Sequence, residues 1–256
     1  MKRSLLCFMM SALLCSCTVA TAEQREVDLS ALSNQKLGWG QGIHCNEKNQ
    51  PLSCLEYNRK YGEHAAVFLN EGNGIALTFD EGYENGYTAS ILDTLREKKV
   101  KAVFFVTYDY VHRNPELVER MIREGHVVGN HTWSHPSMPD KSAQDAVSEI
   151  TKLHDYVQSH FQYTMTLFRP PMGEFSERTL EIAKRQGYKS IFWSFAYKDY
   201  DVNAQPEPAK AMERIVSAAH PGAIYLLHAV SETNSAILGD VIDALRQQGY
   251  SFILLT

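Results

Sequence analysis

The stretch Ile75-Ala76-Leu77-Thr78-Phe79-Asp80-Glu81-Gly82 decides the fold, because an apolar run of strand length ends there in two carboxylates. Short apolar runs of this kind are typical of strands buried on both faces of a parallel sheet. Four further runs are followed by polar side chains, namely His131 with His135, Arg169, Asp199 with Tyr200, and His228. If the runs are parallel strands, all five clusters lie at the same strand ends, where a (β/α) barrel carries its chemistry.

Helical patterns separate the apolar runs along the chain. Helices are predicted over residues 88–99, 114–125, 142–160, 176–187, 208–219 and 233–248, with a last strand at 251–255. Three of them end at a glycine, Gly125, Gly187 or Gly249, and return directly into a strand, as left-handed glycine caps do. About seven strand–helix units in one domain favour a closed or nearly closed α/β barrel over an open doubly wound sheet.

The first 22 residues are predicted to be a secretory signal peptide. Lys2 and Arg3 precede an apolar stretch from Leu5 to Leu14, and small residues follow. Two processing routes remain open: cleavage after the A-x-A sequence that ends at Ala22, or lipidation at Cys17 within a lipobox-like sequence. Either route predicts an exported protein of the cell envelope, secreted or anchored as a lipoprotein.

Residues 23–70 are interpreted as an extended N-terminal arm that wraps a catalytic domain spanning residues 71–256. Cys45 and Cys54 are the two cysteines outside the leader region. In an oxidising compartment they are expected to form a disulfide, with two free thiols as the alternative.

Charge excludes several classes of partner. Without residues 1–22, whose charged side chains are Lys2 and Arg3, the 25 basic residues fall to 23 against 30 acidic ones. An acidic body with no basic run argues against binding to nucleic acid or to anionic lipid. No GxGxxG or GxxxxGK sequence follows a strand, so a nucleotide cofactor has no support.

His131 and His135 are a candidate metal-binding pair. On a helical turn, residues four apart share a face, so both imidazoles would reach one divalent cation, for which zinc is the expected choice. The alternative is two unrelated surface or core histidines. Glutamate does not follow His131, so the HExxH protease motif is absent.

The other clusters have an ordinary and a functional interpretation. Asp80 and Glu81 either cap a helix or act as a general base and a metal ligand. Arg169, before Pro170-Pro171, lies either in a stiff solvated loop or in a turn that directs its side chain. His228 ends an apolar strand and needs a partner; Asp199 is the candidate that would keep it a proton donor.

In this order, the clusters resemble the polysaccharide deacetylases, the NodB-homology carbohydrate esterases of family 4. The matching sequences are Thr78–Gly82, His131–His135, Arg169–Gly173, Asp199-Tyr200 and Leu226-Leu227-His228. The resemblance implies a distorted (β/α) barrel and hydrolytic N-deacetylation of a glycan. Glu81 stands where the family usually has an aspartate, and Tyr200 where it usually has a tryptophan.

The resemblance also implies roles. A divalent metal is held by His131, His135 and Glu81; Asp80 is the general base, oriented by Arg169. His228 protonates the departing amine and is oriented by Asp199. Substrate contacts are predicted for Tyr83, Tyr200 and Leu226.

A narrower resemblance concerns residues 82–88, 192–194 and 220–228, which look like those of peptidoglycan N-acetylmuramic acid deacetylases, the enzymes of δ-lactam synthesis in spore cortex. The expected partner is a peptidoglycan glycan strand. Alternatives are an N-acetylglucosamine or chitooligosaccharide deacetylase with the same machinery, and a non-catalytic glycan-binding module. A glycoside hydrolase is disfavoured, because adjacent carboxylates do not straddle a scissile bond.

Overall fold

A computed structural model describes residues 28–256, so the predicted signal peptide and the lipidation site at Cys17 lie outside the described part. Its strands are β1 (Leu37–Gly38), β2 (Ala66–Val67), β3 (Ala76–Glu81), β4 (Val103–Val106), β5 (Val127–Asn130), β6 (Leu167–Phe168), β7 (Glu174–Phe175), β8 (Lys189–Ile191), β9 (Phe195–Ala196) and β10 (Ile224–His228). Its α-helices are α1 (Leu52–Tyr61), α2 (Thr88–Glu97), α3 (Tyr108–Arg113), α4 (Pro115–Arg123), α5 (Ala143–Phe161), α6 (Glu177–Arg185), α7 (Pro208–Ser217) and α8 (Glu232–Gln247).

Eight of these strands form one parallel sheet in the order β2-β8-β6-β5-β4-β3-β10-β9. The sheet curls into a half-barrel with helices around it, which confirms the distorted (β/α) barrel predicted from the sequence. It stays open between β2 and β9. Strands β1 and β7 form a separate antiparallel pair beside it.

Alternating side chains of the central strands bury two different cores. On β3, Leu77 and Phe79 face outward and pack with helical residues such as Leu92 and Leu95. Ala76, on the other face, joins a smaller cluster inside the barrel that includes Phe105. Because both faces are covered, every residue of β3 and β4 is buried, as the unbroken apolar runs predicted.

Most predicted helix limits are confirmed within a few residues. Gly125, Gly187 and Gly249 follow helices and have φ values of 78°, 83° and 87°, the left-handed conformation that ends a helix. The predicted strand at 251–255 is wrong: it is reduced to a single bridge between Ile75 and Phe252. Among residues 28–256, no helix is long and apolar enough to cross a bilayer.

The N-terminal arm contains helix α1, which the sequence analysis did not predict, and its last strand, β2, joins the main sheet beside β8. The disulfide expected within it is not formed, and both cysteines are free thiols. The Cys54 sulfur is buried 3.9 Å from the Trp193 carbonyl, whereas Cys45 is exposed. Cys54 therefore packs in a largely aromatic core cluster that joins arm residues such as Trp39 and Phe68 to Phe175 and Phe192.

Position 129 on β5 requires glycine, because the Phe105 ring and the Leu167 backbone lie very close to the place that a Cβ atom would take. A Cβ atom there would lie 2.4 Å from the Phe105 ring and 3.2 Å from the Leu167 carbonyl. We expect Gly129→Ala to destabilise the fold by ~1–3 kcal/mol, the cost of overpacking a filled core. Gly38→Ala on β1, where nothing lies within 4 Å, is the matched control and should change stability by less than ~0.5 kcal/mol. Urea denaturation midpoints measure both, and equal midpoints would contradict the packing argument.

Candidate active site

The polar clusters meet at the carboxyl ends of the parallel strands. Asp80 on β3 and His228 on β10 are paired in the register of the two adjacent strands. His131 follows β5, and Arg169 follows β6. Strand register alone therefore places a carboxylate and an imidazole side by side at this edge.

These strand ends surround a cleft of about 700 Å³. Seven of the ten residues predicted for the site line it: Asp80, Tyr83, His131, His135, Tyr200, Leu226 and His228. Arg169 and Asp199 are fully buried behind the lining, and Glu81 is buried elsewhere. Seven of the predicted residues thus face the cleft, Arg169 and Asp199 lie directly behind it, and Glu81 does not belong to it.

Arg169 is a fully buried guanidinium, and each of its three nitrogens donates to a protein acceptor. Its Nη1 donates to Asp80 Oδ1 at 2.7 Å and to Thr78 Oγ1 at 2.9 Å. Its Nε donates to the Ile191 carbonyl at 3.0 Å, and Nη2 to the Phe192 carbonyl at 3.2 Å. The side chain therefore fixes one oxygen of Asp80 and leaves Oδ2 available.

The charge state of Asp80 follows from these neighbours. Burial acts to raise its pKa, but the positive charge of Arg169, together with His131 and His228, lowers it below the usual value. Asp80 is therefore ionised at neutral pH. An ionised carboxylate with one free oxygen in a cleft can accept a proton.

The two imidazoles of the candidate metal pair converge, but not on a helix as predicted. Residues 131–135 form a loop in which Thr132 and His135 have positive φ values of 71° and 57°. His131 Nε2 and His135 Nε2 lie 3.2 Å apart. His131 Nδ1 donates to the Arg169 carbonyl at 2.8 Å, which leaves Nε2 unprotonated when the ring is neutral.

This pair suits a divalent metal. Burial lowers the pKa of His131 to about 4 and also lowers that of His135, so both rings are neutral ligands at pH 7. Two nitrogens on a tetrahedral zinc ion lie ~3.3 Å apart, close to the observed separation. Asp80 Oδ2 lies 3.6 Å from His131 Nε2. Among residues 28–256, no group of three or more His, Cys, Asp or Glu side chains is arranged to hold a metal.

Glu81 does not join this pair. Successive residues of a strand point to opposite faces, so Glu81 leaves the cleft and enters the layer of Glu84 and Tyr110. Both its carboxylate oxygens are buried without a hydrogen-bond partner. Burial, with the charges of Glu84 and Asp80, raises the pKa of Glu81 well above its usual range. Its expected role as a metal ligand is not supported by this position.

His228 is held by a buried carboxylate. Its Nδ1 lies 2.7 Å from Asp199 Oδ1, and its backbone N–H donates to Asp199 Oδ2 at 2.9 Å. Asn234 Nδ2 donates to the same Oδ2 at 2.6 Å, which fixes the carboxylate. Burial acts to lower the pKa of His228, but the hydrogen bond and charge of Asp199 raise it above the usual value.

Several residues that line the cleft were not among the site residues predicted from the sequence. Trp193, Tyr197, Met172, Trp133 and Asp109 all line the cleft. Trp133 lies inside the predicted metal motif and Met172 inside the predicted Arg169 turn, so their positions carried a signal that was not used. Trp193 and Tyr197 follow a strand end, as Asp199 does, and aromatic side chains there commonly bind ligands.

The fold and site together define a hydrolase of the (β/α) barrel class. The sequence model of the polysaccharide deacetylase family matches residues 57–191. The peptidoglycan-N-acetylmuramic acid deacetylase PdaA of Bacillus subtilis is 39% identical over 87% of this chain and 85% of its own length. The chain therefore belongs to the polysaccharide deacetylase family, the family 4 carbohydrate esterases.

Solved structures agree with this assignment. The structure of Bacillus subtilis PdaA, a family 4 carbohydrate esterase, superposes with a TM-score of 0.81 at 38% identity, covering 86% of this chain and 95% of that one. The peptidoglycan-N-acetylglucosamine deacetylase PgdA of Listeria monocytogenes is 35% identical over 71% of this chain but only 38% of its own length. The fold of PdaA is thus shared over most of this chain.

Asp199 should control the titration of His228. We expect Asp199→Asn to lower the pKa of His228, because the mutation removes the charge that raises it. A protonated His228 then persists only to a lower pH, so the alkaline limb of the activity profile shifts toward acid. NMR titration of the imidazole measures the shift, with Asp201→Asn as control, since that carboxylate pairs with Lys198 instead. An unchanged His228 pKa in Asp199→Asn would contradict this assignment.

Proposed function

We propose that this protein is an exported, metal-dependent peptidoglycan deacetylase that hydrolyses the N-acetyl group of N-acetylmuramic acid. The observation that carries the proposal is the placement of Asp80 and His228 side by side in one cleft, together with the converging His131 and His135. The similarity to a muramic acid deacetylase over most of the chain supports the substrate. As part of the same proposal, this deacetylation is the first step in the formation of muramic δ-lactam in spore cortex.

Asp80 and His228 divide the proton transfers. Asp80 Oδ2 accepts a proton from the water that attacks the acetamide carbon. His228, whose Nδ1 is bound to Asp199, presents Nε2 to the cleft and donates a proton to the sugar nitrogen as the C–N bond breaks. The products are acetate and the free amine of the sugar. A positioned base and acid each supply ~10²–10⁴ in rate.

His131 and His135 would hold the divalent metal, for which zinc is the expected choice from imidazole ligation. When bound, such an ion supplies Lewis acidity that polarises the acetamide carbonyl. Tyr83, Tyr200 and Leu226 line the cleft and are proposed to orient the sugar. Tyr200 packs edge-on against the His228 ring with centroids 5.5 Å apart, so a sugar held there would lie beside the acid.

The muramic acid preference rests on two loops that meet at the cleft. Residues 82–87 carry Tyr83 at the cleft and are tied down by Asn85, whose Nδ2 donates to the Val230 carbonyl at 2.9 Å. Val230 follows β10 and also lines the cleft. Residues 82–87 belong to one stretch that resembles muramic acid deacetylases, and Val230 directly follows another, residues 220–228. They lie where the lactyl branch of the substrate would have to fit.

The N-acetylglucosamine alternative keeps the same machinery and finds support in the similarity to PgdA. Export is proposed from the sequence of residues 1–22. Cleavage after Ala22 and lipidation at Cys17 lead to the same compartment.

The substrate assignment predicts the position of the new amine. Purified protein should release acetate from glycan strands whose muramic acid carries no stem peptide, and mass spectrometry should locate the amine on muramic acid. Chitooligosaccharides should be poor substrates, and folded Asp80→Asn should lose ~10²–10⁴ of the rate. Deacetylation confined to N-acetylglucosamine would overturn the substrate assignment and keep the reaction. Full activity in folded Asp80→Asn would remove Asp80 from the mechanism.

The metal assignment predicts a loss of bound ion. Wild type should contain about one divalent ion per chain, and the His131→Ala/His135→Ala double variant nearly none, because both imidazole ligands are gone. Elemental analysis measures the content directly. Glu81→Gln is the matched control, since that side chain leaves the cleft, and should retain the ion. Equal metal content in wild type and the double variant would refute the assignment of His131 and His135 as ligands. Loss of the ion from folded Glu81→Gln would restore Glu81 as a ligand.

A further inference from the structure

The indole of Trp193 forms part of the cleft wall directly beside the buried arginine. Its ring centroid lies 5.9 Å from Arg169 Cζ. On another side it packs on Gly173, where a Cβ atom would lie 2.7 Å from the indole Cη2. The orientation of this ring therefore affects both the shape of the cleft and the surroundings of Arg169.

One side chain of the N-terminal arm holds this ring. Trp193 Nε1 donates to Gln41 Oε1 at 3.1 Å, and Gln41 Nε2 donates to the Ala196 carbonyl at 3.3 Å. Both Trp193 and Ala196 line the cleft. The side-chain amide of Gln41 thus hydrogen-bonds two residues of the cleft wall, Trp193 and Ala196.

The arm fixes the backbone of the same wall. Trp39 Nε1 donates to the Trp193 carbonyl at 2.9 Å, and the Trp39 backbone N–H donates to the Gly173 carbonyl at 2.9 Å. With the backbone held in this way, the indole N–H is the polar group of Trp193 that depends on Gln41. The arm residues involved precede residue 57, where the match to the family model begins.

We propose that Gln41 is a positioning residue that orients the Trp193 indole and thereby sets how tightly the cleft holds its sugar. Without the Gln41 oxygen, the largely buried indole N–H loses its acceptor, and the ring must turn toward water in the cleft to recover one. The turned ring narrows the space for the sugar. The effect on substrate affinity rests on the proposed function; the hold on the ring does not.

The test uses the full chain with three substitutions. Gln41→Leu removes both hydrogen bonds, whereas Gln41→Glu keeps an acceptor for the indole. Gln50→Leu is the matched control, because Gln50 Nε2 also ties the arm to a distant carbonyl, that of Pro221 at 3.0 Å, away from the cleft. Hydrogen exchange of the Trp193 indole, followed by NMR and assigned with Trp193→Phe, reads the contact without any substrate. Acetate release from peptidoglycan gives KM and kcat.

Gln41→Leu should speed Trp193 indole exchange at least ~5-fold and raise KM by a similar factor, the equivalent of one lost hydrogen bond, with kcat within about twofold. Gln41→Glu keeps the acceptor for the indole but loses the donor to the Ala196 carbonyl, so it should recover most of the indole protection and part of the KM. Gln50→Leu should change neither value. In the Trp193→Phe background, Gln41→Leu should add little to KM. Unchanged indole exchange in Gln41→Leu overturns the proposal, as does an equal KM rise in Gln50→Leu. If wild type releases no acetate, the proposed function fails, and the exchange data still decide whether Gln41 holds the ring.

Discussion

The buried guanidinium of Arg169 is the interaction on which the rest of the site depends. A charge without solvent is strongly unfavourable unless it is paired and hydrogen-bonded. Arg169 meets that condition through Asp80, Thr78 and the carbonyls of Ile191 and Phe192, with the Phe105 ring 4.2 Å from its Cζ. These acceptors come from β3 and from the end of β8, on either side of β6. The ion pair therefore fixes the strand ends relative to one another as well as the carboxylate.

The pleat of β3 separates two adjacent carboxyl groups into opposite environments. Asp80 points into the cleft, where Arg169 keeps it charged. Glu81 points away, into a layer where both its oxygens lack partners and where burial raises its pKa. A protonated Glu81 avoids the cost of a second buried charge beside Glu84. One residue of register thus separates the two carboxyl groups that the sequence suggested as a general base and a metal ligand: one lies in the cleft, and the other is buried away from it.

Sequence periodicity predicted the barrel because each buried strand needs an unbroken apolar run and each helix has a chemically marked end, as at Gly125. It predicted the site because strand ends are where such folds place polar residues. It failed where tertiary contacts override local rules. The positive φ values of Thr132 and His135 let a loop bring together imidazoles that were expected on a helix. The contact of Gln41 with Trp193 joins residues 152 apart, and no local pattern marks such a pair.

The register of β3 and β10 also explains how an acid and a base coexist in one cleft at neutral pH. Asp80 and His228 lie side by side, so the charge of each stabilises that of the other. The buried residues behind them move the two pKa values further apart: Arg169 lowers the pKa of Asp80, and Asp199 raises the pKa of His228. Asp80 thus stays ionised down to a pH below its usual pKa, and His228 stays protonated up to a pH above its own. The window in which both have the required form is therefore wider than two isolated side chains would give, and it includes the range between their ordinary values.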